Sequence, residues 1–336
     1  MHYYRVEPTL ENYWRGIILF GKNVASYKFA LAQALYDTRR DGSDLILLED
    51  LAVPFSEHLC RHLKDAPKQI TSQRSQFLAA CAQHNAGELT RDALTDITVR
   101  RGFNNVIDAF HIVNQGEIDK RFFIDERKTH KGIRLTENFF RLGERLQYQN
   151  LRYETESRWK LVEQGWALKI SANLLDVQCD EQQMLYSMVN TRRVTITRCR
   201  DSLNGYQKGR CFYCDAPIML ASGDVNLADV DHFIPWSAQA DIPNINGIWN
   251  LVLACKSCNR GEGGKFARLP SLRLLRRLYN RNEYFITSHL PLRETLIRQT
   301  GKTPKARSDF LNQNWNTALN RLFHQWEPDV VGPDLF

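Results

Sequence analysis

The sequence predicts an α+β protein, predominantly α, and three observations carry that prediction. Apolar residues recur at helical spacing through much of the first 200 residues. Two Cys-x-x-Cys pairs then bracket a short segment rich in Asp, Asn and strand-forming residues. Beyond residue 270 the helical spacing returns, with arginines on the opposite face. The expected division is therefore a mainly helical region over 1–200, a cysteine-stapled unit over 201–270, and a basic helical extension over 271–336.

Length and composition bound this reading. A chain of 336 residues, 43% of them hydrophobic, suits two or three packed domains. Its longest apolar stretches, such as Gly16 to Phe20, fall far short of the roughly 20 residues of a membrane helix, and no signal-peptide pattern opens the sequence. The expectation is a cytoplasmic protein without membrane insertion. There is no internal repeat or Pro/Gly-rich linker, so the domains should pack together.

The elements follow in order. Phe29, Leu31, Ala32 and Leu35 predict a helix over Tyr27 to Arg39, and Leu45 to Leu51 reads as a short buried segment of either type. Helical patterns near Thr90 to Val99 and Phe103 to Val113 precede two short strands, Arg121 to Glu126 and Ile133 to Thr136, joined by the turn Arg127 to Gly132. Helix, helix, then a hairpin with a basic tip is the order of a winged-helix DNA reader. An ordinary helical domain with a solvated hairpin fits the same pattern and is preferred. Thr191 to Asn204 reads as a helix bearing Arg192, Arg193, Arg198 and Arg200, stopped by Gly205. Further helices are expected over Leu272 to Asn282 and Leu290 to Gln299, with a last docking helix over Asn312 to Trp326.

Charge is unevenly spread within a net +7. Residues 201–255 hold 2 basic and 6 acidic groups, whereas 256–309 hold 13 and 4. A charge run is usually a solvated face, but beside an acidic centre it reads as a track for a polyanion.

Of the eight cysteines, Cys60, Cys81, Cys179 and Cys199 are scattered. The others form Cys211-Phe-Tyr-Cys214 and Cys255-Lys-Ser-Cys258, two knuckles whose four thiolates suit one tetrahedral structural zinc. Such an ion has no open position, so it should hold the fold rather than do chemistry.

Between the knuckles run Ala228-Asp-Val-Asp-His-Phe-Ile-Pro-Trp236 and Asn246-Gly-Ile-Trp-Asn-Leu-Val-Leu253, and Asn259 follows the last cysteine. Over Arg210 to Leu269 this resembles the HNH nuclease motif in its zinc-stapled form, with Asn in the third position. The resemblance implies a ββα-metal unit. In it His232 would be the general base, Asp231 and Asn259 the ligands of a catalytic Mg²⁺ or Mn²⁺, and Asn250 the residue that fixes the hairpin. The chemistry agrees. Phosphodiester hydrolysis needs a base titrating near neutrality and a hard cation held by oxygen, and His232 has no other histidine between His130 and His289. Strand alternation puts Asp229 on the same face as Asp231, which leaves a shared ligand role open.

One departure concerns lysine. The family often carries one three residues after the third position, whereas here Gly261-Glu-Gly-Gly264 precedes Lys265. Lys265, Arg268, Arg273, Arg276 and Arg277 are the expected contacts to nucleic acid. The flanks, Gly263 to Pro270 and the arginine-rich stretch after them, are similar to HNH proteins of bacterial anti-phage defence operons, including those of type II Zorya systems. That likeness implies operon-encoded partners. The sequence therefore predicts a metal-dependent endonuclease acting on DNA. A single-stranded RNA substrate ranks below DNA, and the alternative from another class is a zinc-stabilised nucleic-acid-binding module without catalysis.

Overall fold

A computed structural model describes residues 7–21, 24–38, 43–71, 75–114, 116–167, 177–180, 182–189, 192–287, 292–322 and 324–330. The chain divides into two compact units, Met1–Lys169 and Ile170–Phe336, and it is α+β with small sheets. Among the described residues no helix is long and apolar enough to cross a membrane.

The first unit runs α1 (Leu10–Phe20), α2 (Tyr27–Thr38), β1 (Leu45–Leu47), α3 (Leu48–Asp65), α4 (Gln76–Asn85), α5 (Arg91–Ile97), α6 (Val106–Ala109), β2 (Ile112–Val113), β3 (Gly116–Glu117), β4 (Phe123–Glu126), β5 (Gly132–Leu135), α7 (Glu137–Gly143) and α8 (Tyr148–Ala167). Caps locate the starts. The Thr9, Ser75 and Thr90 hydroxyls accept from backbone N–H groups in the first turns of α1, α4 and α5. Trp14, wholly buried, centres an aromatic core with Phe110, Phe122 and Phe139. The predicted hairpin is present, but as part of a three-stranded sheet ordered β1-β5-β4. Ion pairs occupy part of its tip. Arg127 is paired with Asp108 and Asp125, and His130 with Glu126. The helix expected over Phe103 to Val113 shrinks to α6, because β-branched Ile112 and Val113 pair as a strand instead.

The second unit runs β6 (Val177–Cys179), β7 (Met184–Val189), β8 (Arg192–Arg198), α9 (Cys199–Asn204), β9 (Asp229–His232), β10 (Leu251–Ala254), α10 (Lys256–Arg260), β11 (Leu269–Pro270), α11 (Leu272–Thr287), α12 (Leu292–Thr300), α13 (Pro304–Leu319) and β12 (Gln325–Trp326). The helix expected over Thr191 to Asn204 is mostly strand. Val194-Thr-Ile-Thr197 is a β-branched run, β8 pairs with β7 along its length, and only Cys199–Asn204 is helical. Thr191 and Leu290, expected helix starts, lie outside the described residues, as do the side chains of Arg192 and Arg193. The last helix starts earlier than expected, at Pro304, where Thr303 caps it and proline suits the first turn. It ends at Leu319, and Trp326 belongs to β12, which pairs in parallel with β11.

The second unit thus takes in β6–β8, so its boundary falls at Lys169/Ile170 rather than near residue 200. The helices after residue 270 belong to the same unit as the knuckles. Arg281 of α11, fully buried, donates to the carbonyls of Leu251 (2.8 Å) and Trp249 (3.3 Å) and so holds the start of β10.

Candidate active site and metal centre

The four knuckle cysteines converge. Their Sγ atoms all lie within 4.8 Å of one another, and those of Cys214 and Cys255 are 3.7 Å apart. Zn–S bonds of about 2.3 Å in a tetrahedron give S···S edges of about 3.8 Å, so the set fits one zinc ion. Hydrogen bonding within the cluster separates the thiols. Cys211 brings Cys214 down to about 7 and pulls Cys255 lower still, while Cys258 is raised by its three neighbours. Among the described residues, no other group of three or more His, Cys, Asp or Glu side chains has metal-binding geometry.

Between the knuckles lies a ββα unit. β9 and β10 are antiparallel, with His232 opposite Leu251 and Asp229 opposite Ala254, and α10 starts after Cys255. Its two aspartates have different surroundings. Asp231 is buried. Its Oδ2 accepts from the Tyr213 hydroxyl at 2.6 Å and its Oδ1 from the Lys265 ammonium at 3.1 Å. Burial, then the Asp231 charge, raises the Tyr213 pKa and keeps it a donor. Asp229 is more open. Its Oδ2 accepts from Asn259 Nδ2 at 3.1 Å, and Arg260 Nε is 2.9 Å from the same oxygen. The oxygen pair expected from the sequence was Asp231 with Asn259, whereas the contact made by Asn259 is to Asp229.

His232 ends β9, half-buried, and its Nε2 lies 2.8 Å from Asn246 Oδ1. The exposed Trp236 ring is 5.6 Å away. Burial lowers the His232 pKa, and Asn246 opposes that. Asn250, wholly buried, bridges two stretches. Its Oδ1 accepts from Ile234 N, and its Nδ2 donates to the carbonyls of Ile234 and Ile245.

Residues 211–270 match the HNH endonuclease family. No curated protein and no solved structure matches the chain. The HNH match covers both knuckles, the two-stranded sheet and α10, so the geometry above is that of an HNH nuclease region carrying a four-cysteine centre.

The expected nucleic-acid contacts divide. Lys265 is not one of them, because its side chain is fully buried and its ammonium donates to Asp231 and to the carbonyls of His232 (2.9 Å) and Phe266 (3.3 Å). Arg277 is likewise corrected. It is 4% exposed, 3.5 Å from Asp215, and stacked over Phe212. Arg268 is spent on the carbonyls of Gly263 and Gly264. Arg273 is exposed and 3.4 Å from Glu327, and Arg276 is exposed. Much of the basic segment therefore holds the fold. Burial is what composition could not show, since an arginine stem packs as readily as it solvates.

Tyr213, Asn246 and the Asn259–Asp229 pairing escaped the sequence reading. Tyr213 is one of the two residues between the first pair of cysteines, whose spacing sets no residue type there, and Asn246 precedes a glycine as many turn residues do. Neither carries a local signal.

Proposed function

We propose that this protein is an endonuclease that hydrolyses phosphodiester bonds of DNA, with His232 as general base. The observation that carries the reading is the position of His232 at the end of β9 in an HNH region, directly after Asp231 in the strand and with one ring nitrogen bonded to Asn246. The expected reaction has water attack phosphorus while the P–O3′ bond breaks, leaving a 5′-phosphate and a 3′-hydroxyl. His232 takes the proton from the attacking water, and the departing O3′ oxyanion takes a proton from solvent to become the hydroxyl.

The oxygen donors suit a hard divalent cation, Mg²⁺ or Mn²⁺. Asp229 and Asn259 are adjoining, and each Asp231 oxygen that accepts one hydrogen bond keeps a second lone pair. Bound there, the cation would offset charge developing on the phosphate. Asp231 is held in place by Tyr213 and Lys265, so its carboxylate needs no reorganisation. The Cys₄ centre is assigned a structural zinc. The likeness of the flanking sequence supports a setting in anti-phage defence with operon-encoded partners.

The test is cleavage of supercoiled plasmid by the purified chain with Mg²⁺, run beside His232→Ala and beside single-stranded RNA. Nicked or linear plasmid from wild type alone supports the reading. Cleavage by His232→Ala near the wild-type rate removes His232 as base. Tight DNA binding without cleavage under any divalent ion favours the binding-module alternative, and cleavage confined to RNA reassigns the substrate.

A further inference from the structure

We infer that Asn246 is a positioning residue that fixes the tautomer and aim of His232. This rests on the reading of His232 as the base. A histidine can act as a base only through the nitrogen that carries a lone pair, and the bond made by the other nitrogen decides which one that is. Here the other bond is the 2.8 Å contact from Nε2 to the Asn246 side-chain carbonyl. An oxygen acceptor puts the proton on Nε2 and leaves Nδ1 to take a proton from water. An amide cannot itself take up that proton, so the imidazole must release it through Nδ1.

Such a partner is useful only if it is held, and Asn246 is held on both sides. Within its own loop, Gly247 N and Trp249 Nε1 both donate to the Asn244 carbonyl, at 2.9 and 3.1 Å, with Asn244 itself at φ 57°. Gly247 cannot carry a side chain, because a Cβ there would sit 2.6 Å from the Trp249 ring. From outside the loop, Cys179 N at the end of β6 donates to the Asn246 carbonyl at 3.4 Å, and Gln178 bridges to Gly247. Asn250 completes the frame. Its amide ties Ile234, two residues past the histidine, to Ile245, immediately before Asn246. The third strand-like neighbour, β6, lies outside the HNH match at 211–270, so residues beyond the family region hold a member of its site.

The experiment is ¹⁵N NMR of the zinc-loaded full chain labelled at histidine, with the His232 signals assigned by their loss in His232→Gln, together with cleavage kinetics. Wild type should show His232 with Nε2 protonated and Nδ1 unprotonated. Asn246→Ala should give a mixture of tautomers and lose about 10- to 100-fold in kcat with KM and melting temperature nearly unchanged. Asn246→Asp, which keeps an oxygen acceptor of the same reach, should restore the single tautomer. A wild-type His232 protonated on Nδ1 overturns the inference, whether or not Asn246→Ala folds. So does an Asn246→Ala variant with the wild-type tautomer and kcat. A tautomer change in a chain that cleaves nothing would leave the positioning role intact and discard the nuclease reading.

Discussion

Lys265→Met tests the correction to the basic segment most directly. The side chain is wholly buried and gives its three donors to Asp231, His232 O and Phe266 O, so methionine removes the charge while nearly keeping the volume. Burial lowers the lysine pKa and the Asp231 charge opposes that, as expected of an ion pair whose partners depend on each other. Removing one member of a buried pair leaves an uncompensated charge and costs about 3–5 kcal/mol. Tyr213 continues to donate to Asp231, which argues for the lower end, about 3 kcal/mol. For a unit spanning Ile170–Phe336 that corresponds to a melting temperature lower by roughly 6–12 °C. Thermal unfolding of the full chain, with Asp231→Asn and the double variant completing a cycle, measures both the loss and the coupling. The double variant should recover part of the stability lost by Lys265→Met. A Lys265→Met protein as stable as wild type, but with a flatter salt dependence of DNA binding, would show that Lys265 faces phosphate after all, and the reasoning would fail.

Other outcomes follow from the same packing. Arg273 and Arg276 reversed to Glu should weaken DNA binding and reduce its log–log salt slope by about 1 for each phosphate no longer neutralised, measured by titration at several salt concentrations. Arg277→Glu should instead lower stability, since it would set two acidic groups, the new one and Asp215, together in a buried place. Cys258→Ser should reduce bound zinc from about one ion per chain to near none, with loss of soluble protein, read by metal analysis. In the first unit, His62 lies between Glu163 (2.7 Å) and Glu156 (3.3 Å) and stacks on Trp159. Burial opposes its charge, yet the two glutamates raise its pKa above 6.5. Protonated His62 therefore stabilises the fold fully below pH 6.5, and that contribution is lost as pH rises through the folded pKa. The stability advantage of wild type over His62→Gln should shrink correspondingly in melting curves taken across that range.

What was legible in the sequence follows from how local each signal is. The knuckles are read from their two-residue gaps, whereas Asp231-His232 and the two asparagines stand out through the resemblance of the segment between the knuckles to the HNH motif. The helices α2, α11 and α12 were legible from the helical spacing of their apolar residues. β8 was missed because its arginines weighed as a helix face while the β-branched Val194 to Thr197 weighed too little. Lys265, Arg277 and Arg281 were misread or passed over for a different reason. Whether a cation meets solvent or a buried carboxylate depends on residues far away in the chain, Asp231, Asp215 and the Leu251 carbonyl, and no local pattern contains that.

Those same long-range contacts make the cysteine centre more than a staple. Tyr213 sits inside the first knuckle and holds Asp231, while Phe212 N donates to Leu253 O at 2.8 Å and ties the knuckle to β10. In the second knuckle, Lys265 N donates to Cys258 O at 2.7 Å, which starts the turn that returns the Lys265 ammonium to Asp231, and Asn259 follows the cysteine directly. The outer wall of that turn is clamped from the far end of the chain, where Trp326 Nε1 donates to Gly263 O at 2.7 Å and its ring meets Tyr213 edge-on. Tyr213, Lys265 and Asn259 thus reach the acidic face from the two cysteine pairs, one residue from the first and two from the second. A metal that fixes the distance between the pairs fixes the donors around Asp231 and Asp229 as well. Loosening the sulfur cluster would therefore be felt at the carboxylates that these donors hold.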